Sequence, residues 1–258
     1  MKIGVCAPPQ YWAAVKEHGF DYVEWNFSVI ANYTEEQMAY YLAQKDEQGV
    51  QILACNGFFP GGFVMFGEDR AAIEAWTREY ARAGFARAAK FGANVAVMGS
   101  GYARNVPDGM DAAEAKERFA ALMRILGEEG EKAGVRVAIE PLQLKETNFL
   151  HTLEEGAEIC AMVNHPYVGL TLDVFHFWAG GEPLENIVKY KQYIFHAHLA
   201  RPAADRQAPT EPDTDMCLVY RDAMRAAGYD DKISLEAVYN PDFVGDVAGA
   251  YPVMKHFR

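Results

Sequence analysis

A chain of 258 residues, half of them hydrophobic, is long enough for one large domain with a substantial core. Its formal net charge of −12 argues against a broad basic surface, and so against nucleic acid as a partner. No apolar run approaches membrane-spanning length, and the first residues enter a strand without an apolar stretch of signal-peptide length. The four cysteines, Cys6, Cys55, Cys160 and Cys217, show no paired spacing, so a reducing, cytoplasmic setting is expected.

From the N-terminus onward, strand-like and helix-like runs alternate. Strands are predicted over 2–7, 22–26, 51–55, 94–98, 136–140, 169–173, 193–199 and 232–237. Helices are predicted between them over 10–17, 34–48, 69–91, 111–133, 152–163, 183–189, 215–227 and 243–256. Thr34-Glu-Glu-Gln37 and Thr152-Leu-Glu-Glu155 have the form of capping boxes. Gly19, Gly49, Gly92, Gly134 and Gly228 follow helical runs as C-terminal stops. Eight such alternations without a long linker predict a single (β/α)8 TIM barrel over 1–258. An open doubly wound sheet fits less well, because its ligands gather beside one switch point. Cys6 and Cys55 fall in strand runs and are expected to be small buried hydrophobes.

The last four strands carry the chemistry. Val137-Ala-Ile-Glu140, Leu170-Thr-Leu-Asp173, Phe195-His-Ala-His198 and Ile233-Ser-Leu-Glu236 each end on a residue able to bind a metal. Strand side chains alternate, so the apolar positions one and three before each end face one way, and Glu140, Asp173, His198 and Glu236 face the other. Separations of 33, 25 and 38 residues suit successive strand–helix units. A lone acid at a strand end is ordinarily solvated; four ligand-type residues in one phase at one end form a constellation. Crowded carboxylates raise one another's pKa, a conflict that a cation resolves. Three carboxylates and an imidazole without thiolate favour one hard divalent ion, Mn2+ first, with Mg2+ or Co2+ as alternatives. Octahedral coordination would leave two positions for neighbouring oxygens of a polyol or hydroxy-ketone. Glu140 and Glu236, on well-separated strands, could then flank the acidified carbon as a proton-transfer pair.

On these residues the chain resembles the sugar phosphate isomerase/epimerase group of xylose isomerase-like TIM barrels, most closely the ketose 3-epimerase branch. The Glu–Asp–His–Glu order at 140, 173, 198 and 236 carries the likeness. The resemblance implies a metal-dependent epimerase or isomerase acting on a small ketose, polyol or related hydroxy-carbonyl compound through a metal-bound enediolate, with Glu140 and Glu236 as catalytic acid and base. It implies that Glu146 contacts the substrate's terminal hydroxyls. It also implies that His176, in Asp173-Val-Phe-His176, stabilises the enediolate oxygen, and that Arg206 binds substrate, at a slightly longer spacing from His198 than in the epimerases. Leu142 stands where xylose isomerases carry a lysine, which argues against a hydride shift. The repair endonuclease of this barrel family uses a three-metal cluster and more histidines; seven histidines and an acidic chain argue against that activity. Two other readings use the same residues. One is a dehydratase of a cyclic polyol or acid, the other a metal-binding barrel subunit that needs a partner chain.

His196 shares the face of His198 deeper in the barrel and is expected to be buried and hydrogen-bonded, or to support the site. Glu24 faces inward on the second strand and is expected to bond to neighbouring strands. His18, His165 and His256 are expected to be solvated, and His151 is assigned no role. The loop 99–107, glycine-rich and carrying Arg104, is a candidate cradle for phosphate or carboxylate, or simply a tight turn. Phe58, Phe59, Tyr102, Phe175 and Trp178 are expected to wall the pocket. The segment 57–67 reads as an apolar flap or as a subunit contact, which leaves a homo-oligomer open.

Overall fold

The computed structural model describes all residues, 1–258. Its eight strands are β1 (Lys2–Cys6), β2 (Tyr22–Asn26), β3 (Ile52–Asn56), β4 (Val95–Met98), β5 (Arg136–Ile139), β6 (Val168–Asp173), β7 (Ile194–Leu199) and β8 (Lys232–Leu235). They pair in chain order, all parallel, and β8 returns to β1, which closes the barrel. Helices follow the strands at Trp12–Glu17, Glu35–Glu47, Arg70–Phe91, Ala112–Ala133, Leu153–Val163, Glu185–Lys189, Thr214–Ala226 and Phe243–Met254. This is a (β/α)8 TIM barrel. No helix is long and apolar enough to cross a membrane.

Local chemistry sets the helix ends. At Thr34 the Oγ1 accepts from the Gln37 amide at 3.2 Å while Gln37 Oε1 accepts from the Thr34 amide at 2.9 Å, and Thr152 and Glu155 form the same reciprocal pair. Each box satisfies two amides that the first helical turn leaves free. Gly92 and Gly134 close the two longest helices with φ of 101° and 73°. Two short helices were not foreseen, Phe27–Ala31 after β2 and Val174–Ala179 after β6. Each is too short to display a helical period, and each is started by a polar strand-end residue, Asn26 or Asp173.

Strand alternation divides the apolar side chains. Val137, Ile139, Leu170, Leu172, Ile233 and Leu235 belong to the large cluster that includes the helices' buried residues. A separate cluster of five, Tyr22, Ala54, Val95, Val97 and Ala138, fills the barrel interior. The interior also holds fully buried polar groups, Glu24, Thr171, His196, His198 and Ser234. Gly4 makes this arrangement spatially feasible. It lies opposite Tyr22 of β2 on one side and Ser234 of β8 on the other. A Cβ there would run into the Tyr22 ring, so its absence lets the ring lie across β1 and place its hydroxyl 2.7 Å from Ser234 Oγ.

The segment 57–67 is folded inward rather than free. Phe58 stacks on Phe27 at 4.2 Å between centroids, Phe59 on Phe63 at 4.3 Å, and Phe63 on Trp76 at 4.5 Å. Tyr80 donates its hydroxyl to the Phe58 carbonyl at 2.6 Å. Phe58, Phe59 and Phe63 find partners on the helix Arg70–Phe91, and Phe66 packs edge-on against Phe149. Cys55, Cys160 and Cys217 are buried as free thiols, while Cys6 is partly exposed.

Because Tyr22 is enclosed on all sides, Gly4→Ala is expected to overpack the barrel and to cost about 1–3 kcal/mol. Chemical denaturation of the two proteins checks this; equal midpoints would show that the interior yields.

Candidate metal centre

Glu140 and Glu236 each stand one residue beyond a strand, β5 and β8, while Asp173 closes β6 and His198 lies near the end of β7. One ligand atom from each of the four falls within 4.8 Å of the others. His198 Nδ1 sits 3.1 Å from Glu140 Oε1, 3.2 Å from Glu236 Oε2 and 3.9 Å from Asp173 Oδ2. Two of the remaining carboxylate oxygens have partners of their own. Asp173 Oδ1 accepts the amides of Phe175 and His176 at 2.7 and 3.1 Å, capping the short helix after β6, so only Oδ2 faces the cluster. Glu236 Oε1 accepts from Asn56 Nδ2 at 2.9 Å. Glu140 fits because residue 99 is glycine: a Cβ at Gly99 would collide with its Oε2.

Arg206 enters from the loop after β7 with φ of 50°, a left-handed backbone costly for a side chain this large. Its Nη2 donates to Glu236 Oε2 at 2.7 Å and to Asp173 Oδ2 at 3.0 Å, and its guanidinium lies 5.0 Å from the Phe175 ring centroid. The charges perturb one another strongly. Burial, then the Glu236 charge, raises the Glu140 carboxyl above its ordinary range. Burial would raise Glu236 as well, but His198 and Arg206 outweigh it and bring it down to about 2. Asp173 is likewise desolvated, yet held below its usual value by His176 and Arg206. His198 is raised well above an ordinary imidazole, because Glu236 and Glu24 oppose the effect of burial. The donor set fits a hard divalent cation: three carboxylates, one imidazole nitrogen, no thiolate and a deficit of positive charge.

Above the cluster opens a cavity of about 560 Å³. Glu146, His176 and Arg206 line it together with Glu140 and Glu236. His176 Nδ1 accepts the Gln143 amide at 3.3 Å, so its ring proton resides on Nε2. That nitrogen is buried without a hydrogen-bond partner, 3.9 Å from both Glu146 Oε1 and Asp173 Oδ2. Glu146 Oε1 is 3.6 Å from Arg206 Nη1.

A profile of the xylose isomerase-like TIM barrel family matches residues 12–251. The chain belongs to this family. An inosose isomerase of Bacillus subtilis is 27% identical over 140 residues, 50% of this chain. The chain spans 49% of that relative's length and 31% of a second curated relative's. The 3-keto-D-glucoside 4-epimerase of E. coli superposes with a TM-score of 0.84 at 15% identity, over 99% of both chains. A D-psicose 3-epimerase superposes with a TM-score of 0.80 at 17% identity, over 99% of this chain and 98% of its own. These likenesses show the shared fold.

Against this family frame, several side chains stand elsewhere than the sequence suggested. Arg104 does not line the cavity. It is fully buried, its Nη2 donating to the carbonyls of Glu140 at 2.7 Å and Leu150 at 3.4 Å, and burial lowers its pKa to about 10. It braces the backbone that carries Glu140. Phe58 is sealed beneath the wall, and of the expected aromatics Phe59 and Tyr102 line the cavity. His151 has a place after all: its Nδ1 meets the Leu142 carbonyl at 2.8 Å and steadies the loop after β5. Asn26, Ser28 and Asn56 line the cavity and were passed over. Asn26 and Asn56 share the inward strand phase of Glu24, and that parity is the signal in the sequence that marks them as inward-facing.

Two outcomes are expected. Asp173→Asn keeps an oxygen for the helix cap but turns an amide nitrogen on the cluster, so elemental analysis should find its divalent-metal content well below that of the unmodified chain. Arg206→Met frees the two oxygens that the guanidinium now occupies, and competition against a chelating dye should show tighter metal binding.

Proposed function

We propose that the chain is a metal-dependent epimerase or isomerase of a small, uncharged ketose, polyol or related hydroxy-carbonyl compound. The carrying observation is the pair Glu140 and Glu236. They reach one cavity from separated strands, and their surroundings push their protonation in opposite directions. Two carboxyls driven apart in this way are suited to act as acid and base.

A divalent ion, Mn2+ or alternatively Mg2+ or Co2+, held by Glu140, Asp173, His198 and Glu236, would act as a Lewis acid toward the substrate's adjacent oxygens. The chain's own groups do the rest. Glu236, bonded to the Arg206 guanidinium, takes the proton from the carbon next to the carbonyl. The C–H electrons form a C=C bond as the carbonyl pair moves onto oxygen, giving an enediolate. The Nε2–H of His176, which lacks a partner in the protein, and the Arg206 guanidinium donate to that oxygen. Glu140 returns a proton to the opposite face and the centre inverts; in the reverse direction the two acids exchange roles. Glu146 accepts from the substrate's terminal hydroxyls. Losing either oxyanion donor should cost about 10²–10³ in kcat.

The lining supports an uncharged substrate. Arg206 is its one arginine, it has no lysine, and Arg206 is already shared between two carboxylates. Asn26, Ser28 and Asn56 offer neutral donors and acceptors suited to hydroxyl groups. Leu142, an apolar part of the wall, offers no ammonium group for a hydride shift. A cytoplasmic enzyme is the setting that suits four free thiols.

The test is proton exchange. Free ketoses incubated with the Mn2+-loaded protein in D2O should gain deuterium at the carbon beside the carbonyl, together with an epimer, as read by NMR. Glu140→Gln and Glu236→Gln should each abolish exchange, with metal content measured alongside because both acids also belong to the cluster. Isomerisation without label would show a hydride shift, and a product lighter by one water would show a dehydratase.

A further inference from the structure

Beneath Glu140, Asp173, His198 and Glu236 lies a buried carboxylate that the proposed chemistry does not use. Glu24 of β2 is fully enclosed, and three donors converge on it. Its Oε1 faces His198 Nε2 at 3.0 Å. Its Oε2 accepts from His196 Nε2 at 2.7 Å and from Ser234 Oγ at 2.5 Å. Tyr22 hydroxyl, 2.7 Å from Ser234 Oγ, completes the chain of bonds. β1 and β8 separate β2 from β7, so the contact with His198 crosses the barrel rather than following a strand pair.

We propose that Glu24 is a positioning residue for the metal centre, holding the proton of His198 on Nε2 so that Nδ1 presents its lone pair to the cation. The role rests on the metal-centre reading above. The geometry constrains the ring at both nitrogens. An ionised carboxylate only accepts, and on its other oxygen Glu24 takes the Ser234 hydroxyl at 2.5 Å and His196 Nε2 at 2.7 Å. The nitrogen facing it must therefore donate. The other nitrogen, Nδ1, is the one that faces Glu140, Asp173 and Glu236. Ionised oxygen on the far side of an imidazole also makes the ring a stronger ligand. His196 and Ser234 hold the second oxygen, which prevents the carboxylate from turning away. Cys6 comes within ligand reach of Glu24 and His198 as well, but both Glu24 oxygens already face donors, so this trio is not assigned a second ion.

The experiment compares Mn2+ affinity and the visible spectrum of the Co2+-substituted protein for the unmodified chain, Glu24→Gln and Ser234→Ala, each first checked for fold by thermal melting. Glu24→Gln keeps the shape and removes the charge, and should weaken Mn2+ binding about 10–100-fold and shift the Co2+ bands. Ser234→Ala, which leaves His196 on the second oxygen and the carboxylate charge against His198, should lose far less affinity than Glu24→Gln. A crystal structure of the Mn2+-loaded unmodified chain supplies the second measurement, whichever variants fold: Nδ1 on the ion with Nε2 still on Glu24 is expected. His198 presenting Nε2, or Glu24→Gln matching the unmodified chain in affinity and spectrum, overturns the role of Glu24 alone. An unmodified chain that takes up no divalent ion overturns the metal centre together with it.

Discussion

Three carboxylates and an imidazole share a space less than 5 Å across, and the rest of the upper barrel answers to that crowding. Like charges so close repel more strongly where water is excluded. Each acid is therefore tied down separately. Asp173 gives one oxygen to the helix that it caps, Glu236 gives one to Asn56, and Glu140 meets His198 in the room left by Gly99. Arg206 then bridges the two oxygens that remain on Asp173 and Glu236. Its left-handed backbone is a local strain kept because the guanidinium has a strong electrostatic reason to be there.

The barrel supplies rigidity from below. Polar groups rarely fill the inside of a small barrel, because each needs a hydrogen-bond partner in the absence of water. Here Tyr22, Ser234, Glu24 and His196 Nε2 bond to one another while reaching His198, and His196 Nδ1 alone of this group is left without a partner. Gly4 at the level of Tyr22 and Gly99 at the level of Glu140 serve the same purpose at two heights, each omitting a side chain so that a functional one can occupy the space. Packing in the interior and chemistry at the mouth are in this sense one continuous structure.

The loops after β4 and β5 show how support differs from participation. Arg104 carries a charge and sits near the cavity, yet it is directed at backbone carbonyls. His151 fastens the Leu142 carbonyl. Both act on where Glu140 and Leu142 stand rather than on what enters the cavity. His176 differs in lining the cavity, where its buried N–H, without a partner in the protein, is the kind of unmet donor that a bound oxygen would satisfy.

Strand count, closure into a barrel, the capping boxes at Thr34 and Thr152 and the shared face of Glu140, Asp173, His198 and Glu236 were legible in the sequence alone. They follow from periods of two and 3.6 residues and from short-range capping chemistry, which depend on near neighbours only. Tertiary structure alone decided the rest. Which oxygen of Asp173 faces the cluster depends on a helix too short to show a period. Whether Arg104 meets a ligand or a carbonyl, and whether 57–67 is free or wedged against Trp76 and Tyr80, depends on partners distant in the chain. The bond between Glu24 and His198 joins residues 174 positions apart across a closed barrel. Alternation could say that both point inward, but not that they touch, because contact across the barrel is set by closure and by the volume that Gly4 leaves empty.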